Sequence, residues 1–257
     1  VCLIAPLLSA FAGPSDSAKD GAASTAIVSL DLCSDWMLIR LGGQGRVRAF
    51  SPLLYRYPAA WVPKGLPRHD GRLETLLPWR QARFVAGEYN ALTLRQRLAR
   101  LGRRVTVMPL PQRLQQLGRY IEGYRGLLGL PSAGAGEGVL QHPGNGRRLL
   151  LLGANGIGTG TGTLENDIIE HAGFRNYLEK PGFQRLDLER LITDPPDRIL
   201  WAVPASRALA YRMAEHPVLR RLLRRQPYFP AADWRWHCPG PWTVGLIDEL
   251  AAWGTEE

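Results

Sequence analysis

A chain of 257 residues, 45% apolar, is long enough for two lobes of about 100 residues each and too apolar for global disorder. Its formal charge of +9 rests on 29 Arg and 3 Lys, yet no recognition motif or dense basic tract with interleaved aromatics accompanies it, so a nucleic-acid partner is not expected. The cluster Arg220, Arg221, Arg224 and Arg225 has helical spacing and reads as a solvated helix face.

In chain order, residues 2–13, CLIAPLLSAFAG, form an apolar run of signal-peptide length, and Ala10-Phe11-Ala12 offers an A-x-A cleavage site. Export with cleavage near Ala12 is therefore expected, with residues 1–25 as signal remnant and flexible leader. Removing the signal leaves Cys33 and Cys238, and an even count in an oxidising compartment suggests a disulfide. The alternative is two unrelated buried thiols.

Residues 26–30, AIVSL, predict a buried strand, 31–34 a turn, and 35–41 a short helix stopped by Gly42 and Gly43. A second strand is predicted at 47–50, ended by Ser51 and Pro52. Tyr55, Tyr57 and Trp61 then form an aromatic group around Pro58, suited to a wet pocket with a large, partly apolar ligand. A short helix at 69–77 carries Glu74. Residues 83–86 predict a third strand followed by the loop Gly87-Glu88-Tyr89-Asn90, then a helix over 92–101 and a fourth strand over 105–108. Strands alternating with helices of this length argue for a parallel sheet.

Residues 114–128 have a helix-like apolar pattern interrupted by Gly118, Gly123 and Gly126, and the next stretch, 131–146, holds five glycines. Leu149 to Leu152 predict a strand buried on both faces. Gly153, Gly156, Gly158, Gly160 and Gly162 follow, with Asn155, Ile157 and Thr159 between them. Thr163 then offers an N-cap, and a helix runs to Gly173. This is strand, glycine loop and helix, but neither the phosphate-cradling loop nor the dinucleotide fingerprint is present. A nucleotide-dependent oxidoreductase built on the Gly153–Gly162 loop stays open as the alternative function. A third reading is an ordinary surface turn. Further on come a helix carrying Glu189, Pro196-Asp197 before a strand at 198–203, a helix opening at His216-Pro217, the turn Trp234 to Pro241, and a last helix over 244–253. No G-x-S-x-G, H-E-x-x-H or C-x-x-C occurs, so no hydrolase or metal chemistry is expected.

Several of these pieces together resemble one family. I-V-S-L-x-x-C-x-D is followed by R-V-x-A-x-S. The glycine-loop helix ends in Ala172-Gly173-Phe174-Arg175-Asn176. Pro-Asp precedes a strand, H-P-x-L-R opens a helix, and W-x-C-x-x-P precedes the last one. The combination, over about residues 26–253, resembles the helical-backbone (class III) periplasmic substrate-binding proteins of ABC importers for ferric siderophores, haem or cobalamin.

The resemblance implies an α/β fold of two lobes, each with a mainly parallel sheet flanked by helices and with the ligand cleft between them. It divides the chain into an N-terminal lobe at 26–111, a helical connection at 112–147 and a C-terminal lobe at 148–257. It implies a binding protein rather than an enzyme, with no cofactor and no metal site of its own. The cargo would be a metal chelate, ferric siderophore ahead of corrinoid or haem, delivered to a permease in the inner membrane by a monomer in the periplasm. Tyr55, Tyr57, Trp61, Tyr89, Asn155, Ile157, Thr159, Trp236 and Trp242 would line the cleft. Cys33 and Cys238 would sit at it, one per lobe, and Glu74 and Glu189 would dock the permease.

Overall fold

The structure is a computed structural model and describes residues 26–57, 59–134, 139–202, 212–213, 215–227, 229 and 234–256. The expected signal segment and leader, and the end of the 198–203 strand, lie outside these residues.

Strand β1 (Ile27–Ser29) enters helix α1 (Leu32–Arg40), followed by β2 (Val47–Ala49) and the short helices α2 (Leu53–Arg56) and α3 (Leu73–Leu76). Then come β3 (Arg83–Gly87), α4 (Leu92–Arg100) and β4 (Arg104–Met108). The four strands form one sheet in the order β2-β1-β3-β4, and every pair is parallel. Helix α1 begins three residues earlier than the periodicity predicts, because Asp31 rather than a residue nearer Asp35 caps it. Its carboxylate accepts the Ser34 N–H at 3.1 Å. The shift places Asp35 in the first turn, fully buried.

The connection is shorter than the long helix the resemblance implies. A 3-10 turn over Leu114–Gln116 runs into α5 (Leu117–Leu127), which breaks at the Leu128–Gly129 turn; the described residues from 130 to 147 carry no helix. Eleven residues make a rod of about 16 Å. Its glycines are tolerated for different reasons: Gly118 and Gly126 face open space, whereas a Cβ on Gly123 would meet the Met108 methyl, so glycine there lets β4 approach. Tyr124 anchors α5 to the first sheet, its hydroxyl 2.9 Å from Ser34 Oγ. Buried Asp167 anchors the preceding turn to the second half, accepting from Arg113 Nε at 2.9 Å and Leu114 N–H at 3.0 Å.

The second half contains β5 (Arg148–Leu152), β6 (Ile157–Thr159), α6 (Leu164–His171), β7 (Arg175–Asn176), β8 (Phe183–Arg185), α7 (Leu188–Thr193), β9 (Arg198–Trp201), α8 (Pro217–Leu223) and α9 (Thr243–Thr255). Strand β5 lies between β7 and β9, parallel to both, and its tip pairs antiparallel with β6, which pairs in turn with β8. The Pro-Asp motif has a clear job here. Asp197 Oδ2 accepts the Arg148 N–H at 2.6 Å and its own N–H goes to Arg148 O at 3.0 Å, registering β9 on β5.

The two sheets share one apolar core. Leu32, Trp36, Met37 and Phe50 of the first half and Leu149, Leu151, Ile168, Leu246 and Leu250 of the second belong to a single buried cluster, bridged by Leu117, Tyr120 and Tyr124 of α5. The architecture is α/β with two lobes, as expected, and the second sheet is mixed rather than purely parallel.

Candidate functional site

The carboxyl ends of the parallel strands are where an α/β sheet holds its ligand. In the first lobe these ends converge on the corner between β1 and α1. Asp31 caps α1 and also accepts the Gly87 N–H at 2.7 Å, with Asn90 Nδ2 at 3.4 Å, so it holds the loop that carries Tyr89. Asp35 accepts the Ser51 N–H at 3.0 Å and lies 2.6 Å from Ser51 Oγ, at the start of the segment with Tyr55, Tyr57 and Trp61. Burial pushes both carboxyls up, Asp35 to about 8. His69 completes the corner. Its Nε2 lies 2.8 Å from Ser29 O and its Nδ1 accepts the Gly71 N–H at 2.9 Å, which fixes the Nε2–H tautomer; burial lowers its pKa.

Between Asp31 and Asp35, Cys33 is joined to Cys238 of the second lobe, with Cα atoms 4.9 Å apart. The bridge lies beneath a cluster of three tryptophans. Trp36, one turn along α1 from Cys33, meets Trp242 edge to face at 5.7 Å and Trp61 at 5.7 Å. Trp61 stacks on Trp242 with centroids 5.8 Å apart and planes 29° apart. Trp242 is in turn fixed to the turn that carries Cys238, its Nε1–H donating to Cys238 O at 2.7 Å. A loop of the first lobe and the α9 entry of the second therefore meet ring on ring. Trp61 remains 41% exposed, while Trp36 is buried with its Nε1–H unpaired among the described residues.

The glycine stretch does something other than a nucleotide cradle would. After a 3-10 turn it doubles back as β6, with Ile157 and Thr159 opposite Arg185 and Phe183. A Cβ on Gly160 would land on the carbonyl of Lys180, and one on Gly158 on the Leu178 side chain. At these two glycines the chain itself packs close against the loop. Thr163 caps α6 as predicted, accepting the Asn166 N–H at 3.1 Å. Asn176, the last residue of the A-G-x-x-N ending, donates to Thr159 O at 3.1 Å and Asn166 Oδ1 at 2.8 Å, tying β6 to α6. Gly160→Ala is expected to cost about 1–3 kcal/mol by overpacking this contact. Chemical denaturation checks it, and an unchanged midpoint would show that the hairpin has room to give.

The expected cleft residues fall into three groups. Trp61 and Trp242 are brought into contact. Tyr55 lies within helix α2 rather than on a loop and Tyr57 caps its end, Tyr89 stands in the turn after β3, Asn155 in the 3-10 turn, and Ile157 opens β6. Tyr55 lies under the Arg68 guanidinium at 4.7 Å and its hydroxyl donates to Leu66 O; Tyr89 is 69% exposed; Asn155 takes a left-handed conformation with φ 60°. Trp236 and Thr159 differ from expectation. Trp236, at 1% exposure, packs in the shared core, and buried Thr159 offers its carbonyl to Asn176. Trp36, three residues after Cys33, joins the cluster from helix α1 rather than from a loop. Two further grooves, of about 460 and 800 Å³, flank α5; neither includes any of the nine residues. Among the described residues no group of three His, Cys, Asp or Glu could hold a metal ion, and no helix is long and apolar enough to cross a membrane.

No protein-family model and no curated protein sequence matches the chain. Solved structures do match its fold. A possible iron-binding (periplasmic solute-binding) protein from Staphylococcus epidermidis superposes with a TM-score of 0.69 at 16% identity, covering 90% of this chain and 99% of that one. A periplasmic haem-binding protein from Pseudomonas aeruginosa gives 0.64 at 17% identity over 91% and 94% of the two chains. The periplasmic haem-binding protein HutB of Vibrio cholerae gives 0.63 at 16% identity over 91% and 100%. The chain shares the two-lobed fold of these periplasmic binding proteins over nearly its whole length.

Proposed function

We propose that the protein is the substrate-binding component of an ABC importer, working in the periplasm and taking an iron-centred chelate, with haem favoured over ferric siderophore or cobalamin. The observation that carries this reading is the Trp61–Trp242 stack, a flat aromatic contact between two lobes at the carboxyl ends of their sheets. A planar macrocycle can replace one indole as the stacking partner of the other, gaining apolar burial on both faces. Haem is placed ahead of siderophore because the Pseudomonas and Vibrio proteins of this fold bind haem. Tyr55, Tyr57, Asn155 and Ile157 would furnish the surrounding wall. The Tyr89 hydroxyl, exposed and without a hydrogen-bond partner among the described residues, is the phenol free to meet ferric iron.

In this reading the metal arrives inside its chelator. The reading needs no cofactor, and the close packing around Gly158 and Gly160 disfavours a nucleotide-dependent oxidoreductase. The test is a titration of the disulfide-bonded protein with haemin, a ferric hydroxamate and cyanocobalamin, following tryptophan quenching and the Soret band. Haemin should bind at micromolar concentration or tighter, and Trp61→Ala or Trp242→Ala should weaken it about tenfold or more, the equivalent of one lost aromatic stack. Binding of none of the three would overturn the proposal. Binding of the hydroxamate or the corrinoid alone would keep the transport role and replace the cargo.

A further inference from the structure

Asp35 is fully buried, yet among the described residues it faces no cation. The groups around it are neutral or acidic. Ser29 of β1 offers its hydroxyl, Ser51 offers its N–H and hydroxyl, and Asp31 of the same corner adds a like charge. His69 is held neutral against the Ser29 carbonyl, and Tyr124 of α5 reaches the corner only through Ser34. Burying a carboxyl without a counter-charge is costly, and an apolar side chain of the same volume would pack the corner at less cost. What the carboxyl supplies instead is a two-point grip. One oxygen takes the Ser51 N–H at 3.0 Å, and the other meets Ser51 Oγ at 2.6 Å. Ser51 Oγ in turn accepts the Leu53 N–H at 3.2 Å, so the grip extends into the first turn of α2.

Three aromatic residues of the first lobe, Tyr55, Tyr57 and Trp61, follow Ser51 closely in the chain. Tyr55 lies within α2, Tyr57 ends it, and Trp61 reaches across to Trp242. The other buried ends of the segment are backbone ties, Phe50 N–H to Pro67 O at 2.9 Å and His69 N–H to Phe50 O at 3.1 Å. Asp35 therefore sits where a small displacement at the segment's root becomes a larger one at its rings.

We infer that Asp35 is the positioning residue of the ligand-facing aromatic segment: by holding both polar groups of Ser51 it sets where Tyr55 and Trp61 stand against the second lobe. This rests on the cleft reading proposed above. The neutral acid suits the task, because one oxygen accepts the Ser51 N–H and the other stays within hydrogen-bond reach of Ser51 Oγ, two contacts that asparagine can keep without titrating. With its pKa raised to about 8, Asp35 keeps its proton at neutral pH. Its folded pKa lies above the unfolded value near 3.8, so the stability it lends is fully present below pH 4 and is lost as pH rises towards 8. Asp31, also raised by burial, shares that direction and remains in any Asp35 variant.

The experiment compares wild type with Asp35→Asn, Asp35→Ala and Ser51→Ala, all disulfide-bonded. It reads amide hydrogen exchange in the ligand-free protein and haemin affinity at pH 6, 7 and 9. Asp35→Ala should speed exchange at Leu53 and the following α2 amides about tenfold or more, leave α4 and β4 amides unchanged, and weaken haemin about tenfold. Should Asp35→Ala fail to fold, Ser51→Ala supplies the same local readout. Asp35→Asn should keep wild-type exchange and affinity at pH 6, and should remove part of the loss of affinity that wild type shows between pH 7 and pH 9. Exchange that rises evenly across the molecule, or not at all, overturns the inference. An unchanged pH profile in Asp35→Asn overturns the assignment of that profile to Asp35. If wild type binds no haemin, the cargo proposal fails, while the exchange readout still decides the positioning role.

Discussion

Replacing Cys33 and Cys238 together by serine is expected to lower the melting temperature by about 10–20 °C. The bridge spans 205 residues. In the chain-entropy model a loop of that size restricts the unfolded chain enough to contribute roughly 5 kcal/mol, the upper end of what native disulfides supply. At this chain length each kcal/mol moves the midpoint by about 2–4 °C. The expected loss is not only entropic. Trp36 and Trp242 lie one turn from the two cysteines, and the Trp242 N–H donates to Cys238 O, so freeing the bridge loosens the aromatic cluster as well. Differential scanning calorimetry of the oxidised protein and the double serine variant measures the first effect. Near-ultraviolet circular dichroism of the tryptophans measures the second. A midpoint within about 3 °C of wild type would mean that the shared core alone fixes the lobes. Loss of the tryptophan signal without loss of the midpoint would mean that the bridge positions the rings more than it stabilises the fold.

The disulfide also marks how far the sequence could be read. The type of each principal element in the first lobe follows from apolar runs and glycine stops, because β1, β3 and α1 are buried enough for burial to dominate their composition. The start of α1 is not legible from side-chain type, because its cap is an aspartate four residues ahead of another aspartate that could cap equally well. The β6 turn-back was invisible. Ile157–Thr159 is three residues long with a glycine at its centre, too short for a period-2 signal, and what makes it a strand is distant pairing with Phe183–Arg185. Trp236 shows the converse limit. An aromatic residue in a Pro-Gly turn reads as a pocket wall, and only tertiary packing against the core assigns it to the interior. The corner held by Asp31 and Asp35 was likewise out of reach, since its partners at Ser51 and Gly87 lie 16 and 56 residues away.

Charge reversal at both Glu74 and Glu189 is expected to abolish uptake while leaving ligand affinity and thermal stability almost unchanged. Both side chains are exposed, and neither carboxylate has a hydrogen bond or ion pair among the described residues. Each sits in the first turn of a short helix, α3 or α7, that leads into a parallel strand, β3 or β9. A helix that returns the chain to a parallel strand runs against it, and on the docking reading proposed here that orientation would turn both N-terminal turns toward the carboxyl edge of their sheets. A role confined to the helix dipole is the competing account. For α7 that role is already filled, because Asp187 caps it and accepts the Glu189 and Arg190 N–H groups at 3.0 Å each. On a chain with 32 basic and 23 acidic residues, one unpaired carboxylate beside the cleft on each lobe is a contact that cationic side chains of a permease can find. Rim charges govern encounter and register more than intrinsic affinity, so Glu74→Arg with Glu189→Arg should cut uptake to about a tenth or less, with each single reversal intermediate. Haemin titration and calorimetry of the same proteins separate docking from binding and folding. Normal uptake by the double variant would sink the docking assignment, and a fall in melting temperature matching the dipole effect would return both residues to a local role.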